Sequence, residues 1–311
     1  MNFSQAKLRF LEYCELDRNL SIRTVRMYGY YLEFFEGWLT LQKKNDEPIE
    51  SITDDTIRSF RLYLSHEYKN PYKGNLSRQT QNYFLIALRS FFKYLIKQKM
   101  KVLTPDMIEL GKQKEREIKF LSPEELQRMF NAVDVIDESG ERDRAILEVL
   151  FSTGLRVSEL VALNKDDINI DRGEFSVLGK GRKVRVVFLS DDAKERLKTY
   201  LQKRSDPYSA LFIRYSGPKP QEGLTPEKMR LSVRSVERLV DKYRLKAGII
   251  KRFGPHALRH SFATDLLGAG ADLRSVQEML GHKNVATTQV YTHVTNPQLR
   301  EIHKKFHSGN K

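Results

Sequence analysis

The sequence predicts a mainly α protein with one small antiparallel β-sheet, an α+β arrangement in two domains. Apolar side chains recur at three- and four-residue steps through the first hundred residues, the signature of packed helices. Only INIDRGEFSVLGKGRKVRVVFLS, residues 168–190, alternates with β-branched residues as a half-buried sheet does. A length of 311 residues exceeds one ordinary domain, and either half is long enough to bury its own core.

The N-terminal half predicts a helical bundle. In SIRTVRMYGYYLEFFEGWL, Ser21 caps a helix whose face is Val25, Tyr28, Leu32 and Phe35. In LSRQTQNYFLIALRSFFKYLIKQKM, Ser77 caps a second helix with Phe84, Leu88, Phe91 and Leu95 on one side. Helices around residues 7–16 and 55–68 complete the bundle. It occupies residues 1–105, and residues 106–118, ending in the charged run GKQKEREI, read as an exposed linker.

The second domain spans 119–311. LSPEELQRMF opens it with Ser122 at the N-cap, Pro123 at the first helical position and Glu125 closing a capping box. A helix through Ala145 to Phe151 stops at Thr153-Gly154, and VSELVAL forms a short helical turn. The hairpin follows, with turns at Arg172-Gly173 and Gly179 to Gly181. From Asp191 onward the chain reads as helical except for the loop SGPKPQEGLTP. DLRSVQEMLGH buries Leu273, Val276 and Leu280 and stops at a left-handed Gly281, which puts His282 at a rigid corner.

Composition narrows the function. Lys plus Arg number 54 against 40 Asp plus Glu, a net charge of +14 that points to a polyanionic partner, most often nucleic acid. A lone Cys14 leaves no disulfide framework and fits a reducing compartment. No apolar run has the length of a membrane span, and the N-terminus lacks a signal-peptide core, so a cytoplasmic, nucleoid-associated protein without membrane contact is expected. There is no GxxxxGK[ST] loop, HExxH, cysteine pair or DxDxDG. The doublets Asp54-Asp55, Asp166-Asp167 and Asp191-Asp192 stand at element starts, where acids serve as caps. No metal site and no cofactor are expected.

The remaining chemistry is basic and hydroxylic. In GPHALRHSFATDLL, Pro255 suits a first helical turn, and the spacing puts His256, Arg259 and His260 on one face. Arginine beside imidazole is a natural grip for phosphate oxygens, although a solvated face would show the same spacing. Arg156 follows the Gly154 stop and has an i,i+3 partner in Glu159. Lys180 sits between glycines at the hairpin tip. His282 and Tyr291, each taken alone, fit ordinary structural roles.

The order of these motifs is more telling than any one of them. TGLRVSEL, LGKGRKVR, PHALRHSFATDLL and VQEMLGH, with Tyr291 nine residues beyond in TTQVYTH, together resemble the catalytic domain of tyrosine site-specific recombinases, with the Xer subgroup the nearest pattern. The helical first domain is similar to that family's SAM-like core-binding domain. Position by position, the resemblance implies Tyr291 as the nucleophile that forms a 3′-phosphotyrosine and frees a 5′-hydroxyl. Arg156 and Arg259 clamp the non-bridging oxygens, His256 and His282 add hydrogen bonds and proton handling, and Lys180 is the general acid. His260 falls outside that set, as a support of the helix.

The resemblance further implies double-stranded DNA with an inverted-repeat type of site as substrate and a tetramer on DNA. Its implied biological role is dimer resolution or integration of a compact mobile element. The tail NPQLREIHKKFHSGNK, with Leu299, Ile302 and Phe306 as a stripe, docks on the neighbouring protomer in that scheme. A second recombinase or an accessory protein stays open. Departures are Gly254, where the family often has Thr or Ser, and a longer loop at 216–229; an arm-site domain ahead of the bundle is not expected. Two other readings, a type IB topoisomerase and a DNA-binding regulator without catalysis, fit the motif order less well.

Overall fold

The fold is described from a computed structural model over residues 1–281, excepting 45, 73, 113–118, 180–182 and 218–225. Lys180, His282, Tyr291 and the tail therefore lie outside the described residues, as do most of the 216–229 loop and the end of the expected linker. The chain divides into two compact units, Met1–Arg116 and Glu117–Lys311. Among the described residues, no helix is long and apolar enough to cross a membrane.

The first unit is built on α1 (Phe3–Leu16), α2 (Ile22–Leu41), α3 (Asp54–Leu62) and α4 (Arg78–Lys97). Ser21 and Ser77 cap α2 and α4 through their hydroxyls, accepting the amides of Thr24 and Thr80. The predicted stripe of α4, Phe84, Leu88, Phe91 and Leu95, is fully buried. It packs in a core of rings, including Phe3 against Phe91 at 5.1 Å and Phe35 against Phe60 at 4.8 Å, both edge-on. Each such pair adds about 0.5–1.5 kcal/mol beyond its area burial. The helix expected over 55–68 is shorter: α3 ends at Leu62 and continues as a π turn over Tyr63–Glu67. A hairpin unforeseen in the sequence follows, β1 (Lys69–Asn70) against β2 (Gly74–Asn75).

The second unit begins with α5 (Pro123–Asn131), closed by the Ser122–Glu125 capping box. The centre is α6 (Glu138–Thr153), whose Ala145, Ile146, Leu147, Val149 and Leu150 are completely buried. It packs against α8 (Asp191–Lys203) and α10 (Pro255–Gly268). Gly154 ends α6 at φ +58°, and α7 (Val157–Ala162) starts three residues later. The predicted sheet is β3 (Glu174–Leu178) antiparallel to β4 (Val184–Phe188), with Ser176 opposite Val186. Phe175, Val177 and Val187 face inward. The helices α9 (Val233–Lys246) and α11 (Leu273–Leu280) complete the unit, and Gly281 ends α11 at φ +64°.

One expectation fails. The segment after α8 is extended, with bridges from Asn164 to Ala210 and from Ile213 to Arg230. Pro207 bars continuation of the helix, and the buried Arg204 guanidinium donates to the carbonyls of Ala210 (2.8 Å) and Leu211 (2.7 Å). Those carbonyls then need no helical partner. The acidic doublets occupy first turns: Asp54 and Asp55 in α3, Asp191 and Asp192 in α8, and Asp166 and Asp167 in a short 3-10 turn.

Candidate active site

Gly154 is the first fixed point of the site. Its left-handed backbone turns the chain sharply, and a Cβ there would lie 2.5 Å from the Phe262 ring. Glycine is required both for the backbone angle and for the space. The turn delivers Arg156 to the N-cap of α7, where Glu159 reaches back to accept the Arg156 amide at 2.9 Å. Arg156 Nη1 also donates to Glu159 Oε1 at 2.8 Å. The i,i+3 pair that the sequence spacing offers is thus present.

Glu159 has a second cation. Arg185, on β4, donates from Nη1 to Oε1 at 3.1 Å and from Nη2 to Oε2 at 2.7 Å. Its Nε donates to the Met279 carbonyl at 3.0 Å, near the end of α11. Burial by itself would raise the Glu159 carboxyl, but the bonds from Arg185 and Arg156 outweigh it and bring its pKa down to about 2. The Arg185 and Glu159 side chains are 9 % and 8 % exposed, whereas Arg156 is 25 % exposed. Arg156 is therefore the member of the trio that reaches solvent.

Arg259 comes from α10. It is 2 % exposed, so the solvated-face reading of its motif does not hold for this residue. Nη1 donates to the Gly154 carbonyl and Nη2 to the Leu280 carbonyl, both at 2.5 Å. Two helix-ending carbonyls, from α6 and α11, thus fix the plane of one guanidinium. His256, one turn earlier on α10, has its pKa lowered by partial loss of hydration and then by Arg259 and Arg156. His260 lies against it, ring centres 6.1 Å apart and nearly parallel, and its pKa falls to about 4 through burial, His256 and Arg259. Both imidazoles are neutral at pH 7.

The described residues therefore bring Arg156, His256 and Arg259 to one place, as expected, around the junction of α6, α7, α10 and the end of α11. Lys180, His282 and Tyr291 lie outside the described residues. Two members of the frame escaped the sequence reading: Arg185, and Glu159 as a shared acceptor. A signal existed, because Arg185 shares the inward side of β4 with Val187, and a charge on a buried strand face needs a partner.

This arrangement can neutralise an anion. Two arginines are held by acceptors that fix their orientation, next to uncharged imidazoles, with one carboxylate already engaged twice. The model of the phage integrase family matches residues 119–297, and that of the phage integrase N-terminal SAM-like domain matches residues 8–99. The chain belongs to the phage integrase family. Within it, the chain is an enzyme of the Xer tyrosine-recombinase type. Tyrosine recombinase XerC of Bacillus subtilis (strain 168) is 36% identical over 307 residues, covering 96% of this chain and 94% of the relative. Tyrosine recombinase XerD of Listeria monocytogenes serovar 1/2a is 35% identical over 306 residues, covering 96% and 97%.

Among solved structures, the XerH site-specific recombinase bound to difH substrate, a pre-cleavage complex, is 26% identical. It has a TM-score of 0.68 over 95% of this chain and 83% of that one. In this integrase-family chain, the match over 119–297 contains the arginine frame and also Lys180, His282 and Tyr291.

Proposed function

We propose that this chain cuts and rejoins duplex DNA at a specific site of inverted-repeat type, through a 3′-phosphotyrosine, without metal or nucleotide. The supporting observation is the Arg259 guanidinium, buried and locked on the Gly154 and Leu280 carbonyls beside Arg156 and His256. Fixed cations of this kind are suited to a phosphate that gains charge in a transition state.

In the proposed step, Tyr291 Oη attacks the scissile phosphorus while the bond to the 5′-oxygen breaks. Arg156 and Arg259 hold the non-bridging oxygens. His256 and His282 add hydrogen bonds to the phosphate and handle the phenol proton, which passes to a neutral imidazole. Lys180 gives a proton to the departing 5′-oxygen. The phosphotyrosine conserves the energy of the broken bond, so attack by a 5′-hydroxyl of another strand reseals the DNA without ATP.

The proposal extends to the assembly. The net charge of +14 suits a clamp on duplex DNA, and exchange needs two sites, hence a tetramer in which the 296–311 tail contacts the neighbouring protomer. Residues 1–105 act as the core-binding domain and 119–311 as the catalytic domain, joined by a linker over 106–118. The role is resolution of chromosome or plasmid dimers, or integration of a compact mobile element, in the nucleoid, alone or with a second recombinase or an accessory protein.

The test uses a duplex enriched from random-sequence DNA by binding to the Tyr291→Phe protein. Nicked beside the cleavage point and incubated with the parent protein in EDTA, it should yield a covalent protein–DNA adduct. No adduct from the parent, or an equal adduct from Tyr291→Phe, overturns the proposal.

A further inference from the structure

We infer that Arg185 is a positioning residue of the active site: it takes up the charge of Glu159, so that the charge of Arg156 is left for the phosphate. The inference rests on the catalytic reading above and adds a residue to it. Glu159 offers two oxygens. Arg185 engages both as a fork, at 3.1 Å and 2.7 Å, while Arg156 takes one further position on Oε1 with a single Nη1 and one on Oε2 with its backbone amide. Three ionised groups then sum to one positive charge, carried by the guanidinium that reaches solvent.

Without Arg185 the net positive charge of the group is lost. Glu159 is buried, and a buried carboxylate with one remaining cation draws that cation into a closed pair. Arg156 would turn its fork onto Glu159, and the pair would carry no net charge toward a phosphate. Arg185 also reaches beyond the trio: its Nε holds the Met279 carbonyl, and its stem packs on Gly281, where a Cβ would stand 3.0 Å from Arg185 Cδ. Gly179 is equally close-fitted, with a Cβ position 3.2 Å from Arg185 Nη1. One side chain thus ties the Glu159–Arg156 pair to the end of α11.

The test reads charge rather than shape. A scissile methylphosphonate replaces one non-bridging oxygen with a methyl group and leaves the linkage neutral, so neutralisation by Arg156 loses most of its value. Single-turnover adduct formation is measured at saturating DNA on the selected nicked duplex, with a phosphodiester and with a methylphosphonate at the cleavage point. The proteins are the parent, Arg156→Ala, Arg185→Ala and Arg185→Lys.

On the phosphodiester, Arg185→Ala should be slower by about 10²-fold, the penalty typical of a misplaced catalytic group, with little change in DNA affinity. On the methylphosphonate its deficit should shrink at least tenfold, in parallel with that of Arg156→Ala. Arg185→Lys retains a cation beside Glu159 but no fork, and should fall between parent and Arg185→Ala on the phosphodiester. Its thermal midpoint, measured alongside, keeps the inference testable where the alanine variant folds poorly. Parental rates for a folded Arg185→Lys and for Arg185→Ala, or a deficit equal on both substrates, overturn the inference. An absent adduct with the parent protein overturns the recombinase reading itself, a separate outcome.

Discussion

Arg259 Nη2 lies 2.5 Å from the Leu280 carbonyl, so a side chain from α10 supplies the donor that the end of α11 lacks. The same guanidinium satisfies Gly154 at the end of α6. Stability and the proposed chemistry thus meet in one residue. Arg259→Lys, whose single ammonium cannot span both carbonyls, should lose about 1–3 kcal/mol of stability for the acceptor left unpaired. Cleavage of the selected duplex should fall by about 10²-fold or more. The urea midpoint and the single-turnover adduct rate check the two effects separately, and a parental rate would remove Arg259 from the site.

Gly154 offers a second handle on the same frame. Alanine there meets a left-handed backbone, worth about 1–2 kcal/mol, and a Cβ 2.5 Å from the Phe262 ring and 3.1 Å from Leu280 Cδ2. The crowding adds about 1–3 kcal/mol. Gly154→Ala should therefore lower the thermal midpoint more than Gly248→Ala, which has a similar φ of +68° with nothing within 4 Å of its Cβ position. Equal losses in the two variants would show that the backbone angle alone matters.

Most helices were legible because their signals are local. Ser21, Ser77 and Ser122 cap where the sequence places them, and Gly154 and Gly281 stop helices where a left-handed residue is needed. The extended run after α8 was not legible, since its determinant is a buried Arg204 bonding carbonyls six and seven residues away. Arg156, His256 and Arg259 could be listed by motif order, yet their joint anchoring could not. Arg185 and Glu159 stand 26 residues apart, and no periodic pattern couples a strand residue to a helix residue at that distance.

Acid should weaken the second unit progressively. His260 has a folded pKa of about 4 against an ordinary 6.5, and His256 is lowered as well. A depressed histidine contributes stability that is present above pH 6.5 and is lost as pH falls toward the folded value, because the unfolded chain binds the proton first. For His260 the full loss is roughly 3 kcal/mol at most. Glu159 follows the same sign lower down, between 4.5 and about 2. The urea midpoint should thus decline from about pH 6.5 to 4, and His260→Gln should flatten that limb. An unchanged slope in the variant would assign the decline to other groups.

Binding and chemistry should separate at Tyr291. Phosphate contacts from a chain of charge +14 make duplex affinity fall with salt, log K declining by about 0.9 per phosphate neutralised for each tenfold rise in salt. A phenol carries no positive charge and releases no counterion. Tyr291→Phe should therefore keep both the affinity and the salt slope of the parent on the selected duplex while forming no covalent adduct. Arg156→Gln should reduce the slope by about one phosphate's worth. Filter binding from about 50 to 200 mM salt, the window in which several phosphate contacts change affinity by orders of magnitude, resolves both. A weaker slope for Tyr291→Phe would mean that the tyrosine holds the DNA rather than attacks it.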